Sequence, residues 1–268
     1  MARHSAIITI MINAARKAGQ RLKRDYGEVD NLQVSRKGPA DFVSAADIRT
    51  EKILREELSH ARPDYGFLME EGGAEPGEDP DRRWIIDPID GTTNFLHGIA
   101  HFAICISLEE LDEITAGIIF DPINEQMFTA EKGQGAYLND RRMRVSSRTT
   151  PQDSIFATGI PFKGRGTDED HTAFLAEMQA VMAESAGIRR FGSAALDLAY
   201  VAAGRFDGFW ERGLHPWDMA AGIILVREAG GLVSDLTGRD KMLESGSIVA
   251  ATPELHQPLR DMIRKAGK

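Results

Sequence analysis

Seven acids in this chain stand where an apolar run stops or a helix starts. Glu70 and Glu71 end "YGFLMEE", and Asp87 and Asp90 end "WIIDPID". Asp218 stands in "HPWDMAAG", and Asp41 and Asp47 flank "DFVSAAD". Each has an ordinary explanation when taken alone. Asp47 and Asp218 suit helix N-termini, where a carboxylate offsets the dipole. Asp90-Gly91 suits a turn, and Glu70-Glu71 suits a solvated loop. The ordinary readings weaken when the acids are taken together. Four apolar segments each carry a carboxylate to an end, and strand ends are where α/β proteins build sites. Clustered carboxylates repel, so such a cluster needs cations. Oxygen ligands without His or Cys favour a hard ion, Mg²⁺ before Zn²⁺. Mg²⁺ keeps waters and recruits phosphate oxygens.

"GTTNF" follows Asp90 directly. Gly91 lets the backbone approach a ligand closely. The N–H groups after it open a short helix, and helix N-termini accept phosphate. Thr92 and Thr93 add hydroxyls, and Pro88 sets a turn that lets both carboxylates and the Ile89 carbonyl face one point. The stretch reads as a corner for metal and phosphate. An acidic surface, at net charge -9, argues against sequence-independent nucleic-acid binding. It does not exclude anionic substrates, because metals held by the acids hold the anion.

The elements that must position these residues are legible as hydrophobic periods. Helix-period segments run at about 5–26, 45–61, 168–186, 193–204, 216–229 and 253–266. Strand-like runs lie near 65–69, 83–87, 101–109, 114–120, 126–130, 154–158, 206–210, 231–235 and 247–251. Stretches 72–81 and 161–169 are rich in Pro, Gly and acids and read as loops. The pattern predicts layered helices and sheets of an α/β or α+β kind, dividing near residues 140–150. An N-terminal half, 1–145, carries most of the acids, and a C-terminal half, 146–268, carries Asp218. With 42% hydrophobic and 27% charged residues the chain has the means for a packed core. The apolar stretch Ala6–Ala15 is too short to span a membrane. The lone Cys105 lies in the apolar run "FAICISL" and reads as a buried small hydrophobe. No targeting segment and no cysteine pair together predict a cytoplasmic protein.

"DPIDGTTNF", the upstream "MEEGG" and the downstream "WDMAAG" together resemble the inositol monophosphatase family of Mg²⁺-dependent, lithium-sensitive phosphatases. "DFVSAAD" and "FGSAALDLAYVAAGRFDGFWERGLHPWDMAAG" extend the likeness over about residues 5 to 265. The resemblance implies a five-layer α-β-α-β-α sandwich, shared with the fructose-1,6-bisphosphatases, and a homodimer. It implies one metal on Glu70, Asp87 and the Ile89 carbonyl and a second on Asp87, Asp90 and Asp218, with a third, weaker one on Glu70 and water. By the same likeness Thr92 and Glu70 orient the attacking water, Asp47 orients Thr92, and Gly91 with Thr92 cradles the phosphate. Lys37 matches a basic residue beside the metals. Asp90, Gly192, Ser193, Ala194 and Glu211 match positions that contact the hydroxyls of the alcohol. Ser193 stands where the family also uses Thr and keeps the hydroxyl.

The implied activity is Mg²⁺-dependent hydrolysis of inositol-1-phosphate, with two or three metals per site. The same chemistry serves fructose-1,6-bisphosphate, histidinol phosphate or 3′-phosphoadenosine 5′-phosphate, but Glu211 favours a neutral polyol because like charge repels a second phosphate. A rival of another class is a binding role, since bacterial relatives of this type are associated with RNA processing and transcription complexes. Arg141, Arg142, Arg189 and Arg190 would then be the contact face. His97, His101 and His215 read as structural histidines, and no G-x-S-x-G elbow supports a triad of Ser193, Asp197 and His215.

Overall fold

The computed structural model describes residues 4–28, 34–38, 41–161 and 167–266. In chain order the elements are α1 (Ala6–Tyr26), β1 (Val34–Gly38), β2 (Asp41–Ser44), α2 (Ala45–Ala61), β3 (Tyr65–Met69), β4 (Gly73–Glu75), β5 (Asp79–Asp90) and α3 (Thr92–Leu96). There follow β6 (Ala103–Glu110), β7 (Glu113–Asp121), β8 (Gln126–Glu131), β9 (Gly135–Leu138), β10 (Arg141–Arg142) and β11 (Ile155–Thr158). The chain continues with α4 (Asp168–Glu184), β12 (Gly187–Arg189), α5 (Ala194–Ala202), β13 (Gly208–Arg212) and α6 (Pro216–Glu228). It ends with β14 (Leu232–Ser234), α7 (Met242–Ser245), β15 (Ser247–Ala251) and α8 (Pro253–Ala266).

Eight strands form one sheet in the order β10-β9-β8-β7-β6-β5-β3-β4, and five form another in the order β12-β11-β13-β15-β14. Both sheets are mixed: β3 runs parallel to β5, and β11 runs parallel to β12 and β13, while the other pairs are antiparallel. Helices α1 and α2 cover one face of the large sheet, α5 and α6 lie between the sheets, and α4 and α8 cover the outer face of the small one. The five layers are those of the expected α-β-α-β-α sandwich.

Local sequence explains the layers. Ser5 caps α1 by accepting the Ile8 N–H at 3.1 Å. Ile8, Met11, Ile12, Ala15, Ala18 and Leu22 then recur at helical spacing and are buried against the large sheet. Strand β6 is buried at seven consecutive residues instead of alternating. The reason is that helix layers cover both faces of its sheet. Helix α6 packs between β7 and α5 with almost no clearance. A Cβ on Gly222 would stand 2.4 Å from Leu198 of α5, so only glycine lets the two helices meet.

Some sequence expectations change. The stretch 72–81 holds β4 and the start of β5 instead of one loop. Edge pairing uses backbone groups and needs no apolar pattern. The polar beginning of β5 is held across the sheet by Arg82 on Glu110 at 2.7 Å and by Arg83 on Glu109. Residues 162–166 of the stretch 161–169 lie outside the described residues, and Thr167 caps α4 in a reciprocal capping box with Asp170. The short elements β1, β2, β9, β10, β12 and α7 carry too few residues to show a period. No described helix is long and apolar enough to cross a membrane.

Candidate active site

Asp87 and Asp90 are three residues apart, an odd offset that on a regular strand sends side chains to opposite faces. The register of β5 on β6 breaks between them: Asp87 pairs with Cys105 and Asp90 with Ala103. One extra residue is accommodated at Pro88-Ile89, and this bulge returns both carboxylates to one side. The Ile89 N–H donates to Asp87 Oδ1 at 2.9 Å and steadies the bend. Asp218, on the first turn of α6, completes a trio with Asp87 and Asp90 whose ligand oxygens all lie within 4.8 Å of one another. Glu70 follows β3, its N–H bonded to the Ile86 carbonyl at 3.2 Å, and its side chain lines the same cleft. Next to it the Glu71 N–H donates to Glu51 Oε2 at 2.9 Å, which ties this turn to α2.

Helix starts meet the trio. Asp218 Oδ2 accepts the His215 N–H at 2.7 Å across the first turn of α6. Asp90 Oδ2 accepts the Ala195 N–H at 2.9 Å and the Ser193 hydroxyl at the start of α5. Asp47 Oδ2 accepts the Ser44 N–H at 2.7 Å and the Ser44 hydroxyl at 2.6 Å in the capping box of α2. Its other oxygen takes the Thr92 hydroxyl at 3.2 Å, which also lies 3.0 Å from the Ile89 carbonyl. The positive ends of these helices offset part of the local negative charge.

The remaining charge is strained. Burial, then the charges of Glu70, Asp90 and Asp218, push the Asp87 carboxyl well above the usual carboxylate range. Burial and the Asp218 charge raise Asp90 to about 7, against hydrogen bonds that lower it. Burial raises Asp47 to about 6. Acids forced together in this way hold their protons or hold a cation. The donor set is all oxygen, which suits a hard divalent ion. The residues therefore fit a metal centre.

Gly91 joins the trio to α3 at φ 97°, and a Cβ there would meet the His101 carbonyl at 3.1 Å and the Gly192 carbonyl at 3.3 Å. Asn94 locks this corner by donating to the His101 and Phe191 carbonyls, each at 2.8 Å. A cleft of about 120 Å³ opens beside it, lined among others by Glu70, Asp90, Thr92, Gly192, Ala194 and Glu211.

Of the residues expected from sequence, Glu70, Asp87, Ile89, Asp90, Gly91, Thr92, Gly192, Ser193, Ala194, Glu211 and Asp218 all line this cleft. Asp47 stands behind it, on Thr92. Ser193 is placed there too, but its hydroxyl donates to Asp90 and accepts the Leu196 N–H at 3.3 Å. Lys37 is on β1 and its side chain lies outside the described residues. The four arginines divide between two edges: Arg141 and Arg142 on β10 of the large sheet, Arg189 and Arg190 at β12 of the small one. Arg190 moreover lines the cleft. Sequence reasoning missed this, along with Asn94 and Gly159, and met Asp197 only in the triad it set aside. Only Asp197 left a signal, as an acid inside the apolar run "AALDLAYVA". His101 packs on Phe191 and Tyr200, and its Nε2 is buried without a hydrogen-bond partner.

A mixed two-sheet sandwich with a carboxylate trio where a strand end meets a helix start defines a metal-assisted phosphatase class. The chain belongs to the inositol monophosphatase family, whose model matches residues 4–267. It is 57% identical to the inositol-1-monophosphatase of Rhizobium meliloti (strain 1021), over 97% of each chain. It is 43% identical to the Nus factor SuhB of Pseudomonas aeruginosa, over 96% of each. Its fold matches the crystal structure of the extragenic suppressor protein suhB from Bartonella henselae with a TM-score of 0.94 and 55% identity, covering 97% of this chain and 99% of that one.

Proposed function

We propose that this protein hydrolyses inositol-1-phosphate to inositol and phosphate. One observation carries the reading: the trio Asp87, Asp90 and Asp218 faces a glycine-led helix start, with Glu211 lining the same cleft. The high identity to an inositol-1-monophosphatase supports it.

Asp87, Asp90 and Asp218, with Glu70 and the Ile89 carbonyl, would hold the metal ions, Mg²⁺ at two or three per site. Bound there, the metals supply Lewis acidity toward the phosphoryl oxygens and a lowered pKa for water. The protein's own groups do the positioning. Asp47 accepts a hydrogen bond from the Thr92 hydroxyl and so turns the Thr92 oxygen toward the water that Glu70 also orients. Gly91 and the first N–H groups of α3 hold phosphate oxygens. Asp90, Gly192, Ser193, Ala194 and Glu211 hold the alcohol. Phosphoryl transfer passes through a loose transition state, so this positioning and charge neutralisation supply most of the rate. No covalent intermediate on the protein is needed.

The test is phosphate release from inositol-1-phosphate, fructose-1,6-bisphosphate, histidinol phosphate and 3′-phosphoadenosine 5′-phosphate, with Mg²⁺ and with and without lithium. A Mg²⁺-dependent, lithium-sensitive preference for inositol-1-phosphate is expected. Preference for another ester would keep the metal corner and discard the role of Glu211. In the same reading the protein is a cytoplasmic homodimer, checked by light scattering and fractionation.

A second reading is favoured by the likeness to the Nus factor SuhB: a binding role in transcription complexes through Arg141, Arg142, Arg189 and Arg190. Such a role should survive Asp87→Asn and fail when Arg141 and Arg142 are changed to Glu. Catalysis should respond the opposite way.

A further inference from the structure

Asp197 is used by none of the steps above. It lies in the first turn of α5, where an acid ordinarily faces water and offsets the helix dipole. Here the side chain is only 1% exposed, and its Oδ1 has no hydrogen-bond partner. A buried oxygen left unmatched is destabilising. Yet Asp197 lines the cleft with Glu211, Gly192 and Arg190. The charges of Glu211 and Asp90 add to burial in raising its carboxyl, and Arg190 opposes them. These groups therefore feel one another at one end of the cleft. The metals do not account for this acid, because it is not part of the trio.

We propose that Asp197 is a specificity-determining residue that takes a hydroxyl of the substrate's alcohol beside Glu211, so that the cleft selects vicinal polyols over leaving groups without neighbouring hydroxyls. The inference rests on the phosphatase reading and deepens it. Two carboxyl groups at one end of a cleft match two neighbouring O–H donors of a polyol. A leaving group lacking them leaves the Asp197 oxygen unmatched, and discrimination of this kind is strong where a site is built around a hydroxyl.

The experiment compares kcat/KM for inositol-1-phosphate and for p-nitrophenyl phosphate at saturating Mg²⁺. The proteins are the parent, Asp197→Leu and Asp197→Asn, with Asp197→Ala as a second apolar variant should Asp197→Leu not fold. The ratio of the two kcat/KM values is expected to fall about tenfold or more in the apolar variants, mostly through KM for inositol-1-phosphate. Asp197→Asn keeps a hydrogen-bonding oxygen and is expected to recover most of the ratio. Equal losses on both esters, no change on either, or no recovery by Asp197→Asn would overturn the inference while leaving the phosphatase reading in place. Failure of the parent to hydrolyse either ester would overturn both.

Discussion

At the scale of single residues the site is a set of acids kept close by covalent and hydrogen-bonded constraint. Asp87 is fully enclosed and repelled by its neighbours, so its carboxylate is tolerable only with a proton or a cation. Asp87→Asn or Asp218→Asn is expected to lower kcat by about two orders of magnitude or more, while the far-UV circular dichroism stays that of the parent. Near-parental turnover at saturating Mg²⁺ would remove these residues from the ligand set. Added Mg²⁺ should raise the Tm of the parent, because a ligand that binds only the folded state stabilises it. That rise should shrink in Asp218→Asn, read by thermal scans with and without chelator. Gly91 has a backbone conformation that disfavours a Cβ, with carbonyls on two sides. Gly91→Ala should cost about 1–2 kcal/mol in chemical denaturation and lower activity as well, because the strain falls beside Thr92.

Among the elements, α6 has the largest demands on it. It brings Asp218 to the trio from one end and packs along β7 and α5 over its length. At Gly222 it touches Leu198 so closely that any side chain must push α5 away. Gly222→Val is expected to cost about 1–3 kcal/mol. It should also separate Asp218 on α6 from Ser193 at the start of α5, so activity should fall further than stability alone accounts for. A variant of full activity and normal denaturation midpoint would contradict this account. Helix α8 raises a question of pH. His256 is buried in its first turn, with Nε2 3.1 Å from Ser234 Oγ, the Val249 carbonyl as a second partner, and Arg260 nearby. Burial and then the Arg260 charge hold its pKa below the ordinary 6.5, against the Val249 bond, which raises it. The unfolded chain then binds the proton more readily than the folded one. The stability contributed by neutral His256 is present above pH about 6.5 and is lost as pH falls through the folded value. The drop in Tm from pH 7.5 to pH 5.5 should therefore be smaller in His256→Gln than in the parent.

Across the whole molecule the two sheets share their middle helices. The large sheet ends at Arg142 and the small one begins at Ile155, yet α5 and α6 come from the second half and cover the inner face of the first. We propose that the halves 1–145 and 146–268 are parts of one folding unit. Residues 1–145 made alone would leave buried apolar positions such as Ile119 and Phe128 in water, and are expected to be unfolded or aggregated. The full chain should unfold in a single transition that is superimposable by tryptophan fluorescence and circular dichroism. Two separated transitions would refute the proposal.

Much of this was legible before any coordinates. The helix periods of α1, α2, α5, α6 and α8 and the apolar run of β6 state their own burial, because a buried face must be apolar at the spacing of its element. The acids at the ends of "YGFLMEE" and "WIIDPID" stated their chemistry, because side-chain type limits what a group can ligate. Short edge strands such as β4 and β12 were not legible, since they are held by backbone pairing that any side chain permits. Nor could sequence decide which way each carboxylate points. The bulge at Pro88-Ile89 put Asp87 and Asp90 on one side. Packing of α6 on β7 brought in Asp218 from more than a hundred residues away. The fold also turned Ser193 onto Asp90 and enclosed Asp197 beside the cleft. Periodicity and residue type are local properties and can be read along a chain. Orientation, proximity and burial depend on contacts between distant segments, and only the tertiary structure sets them.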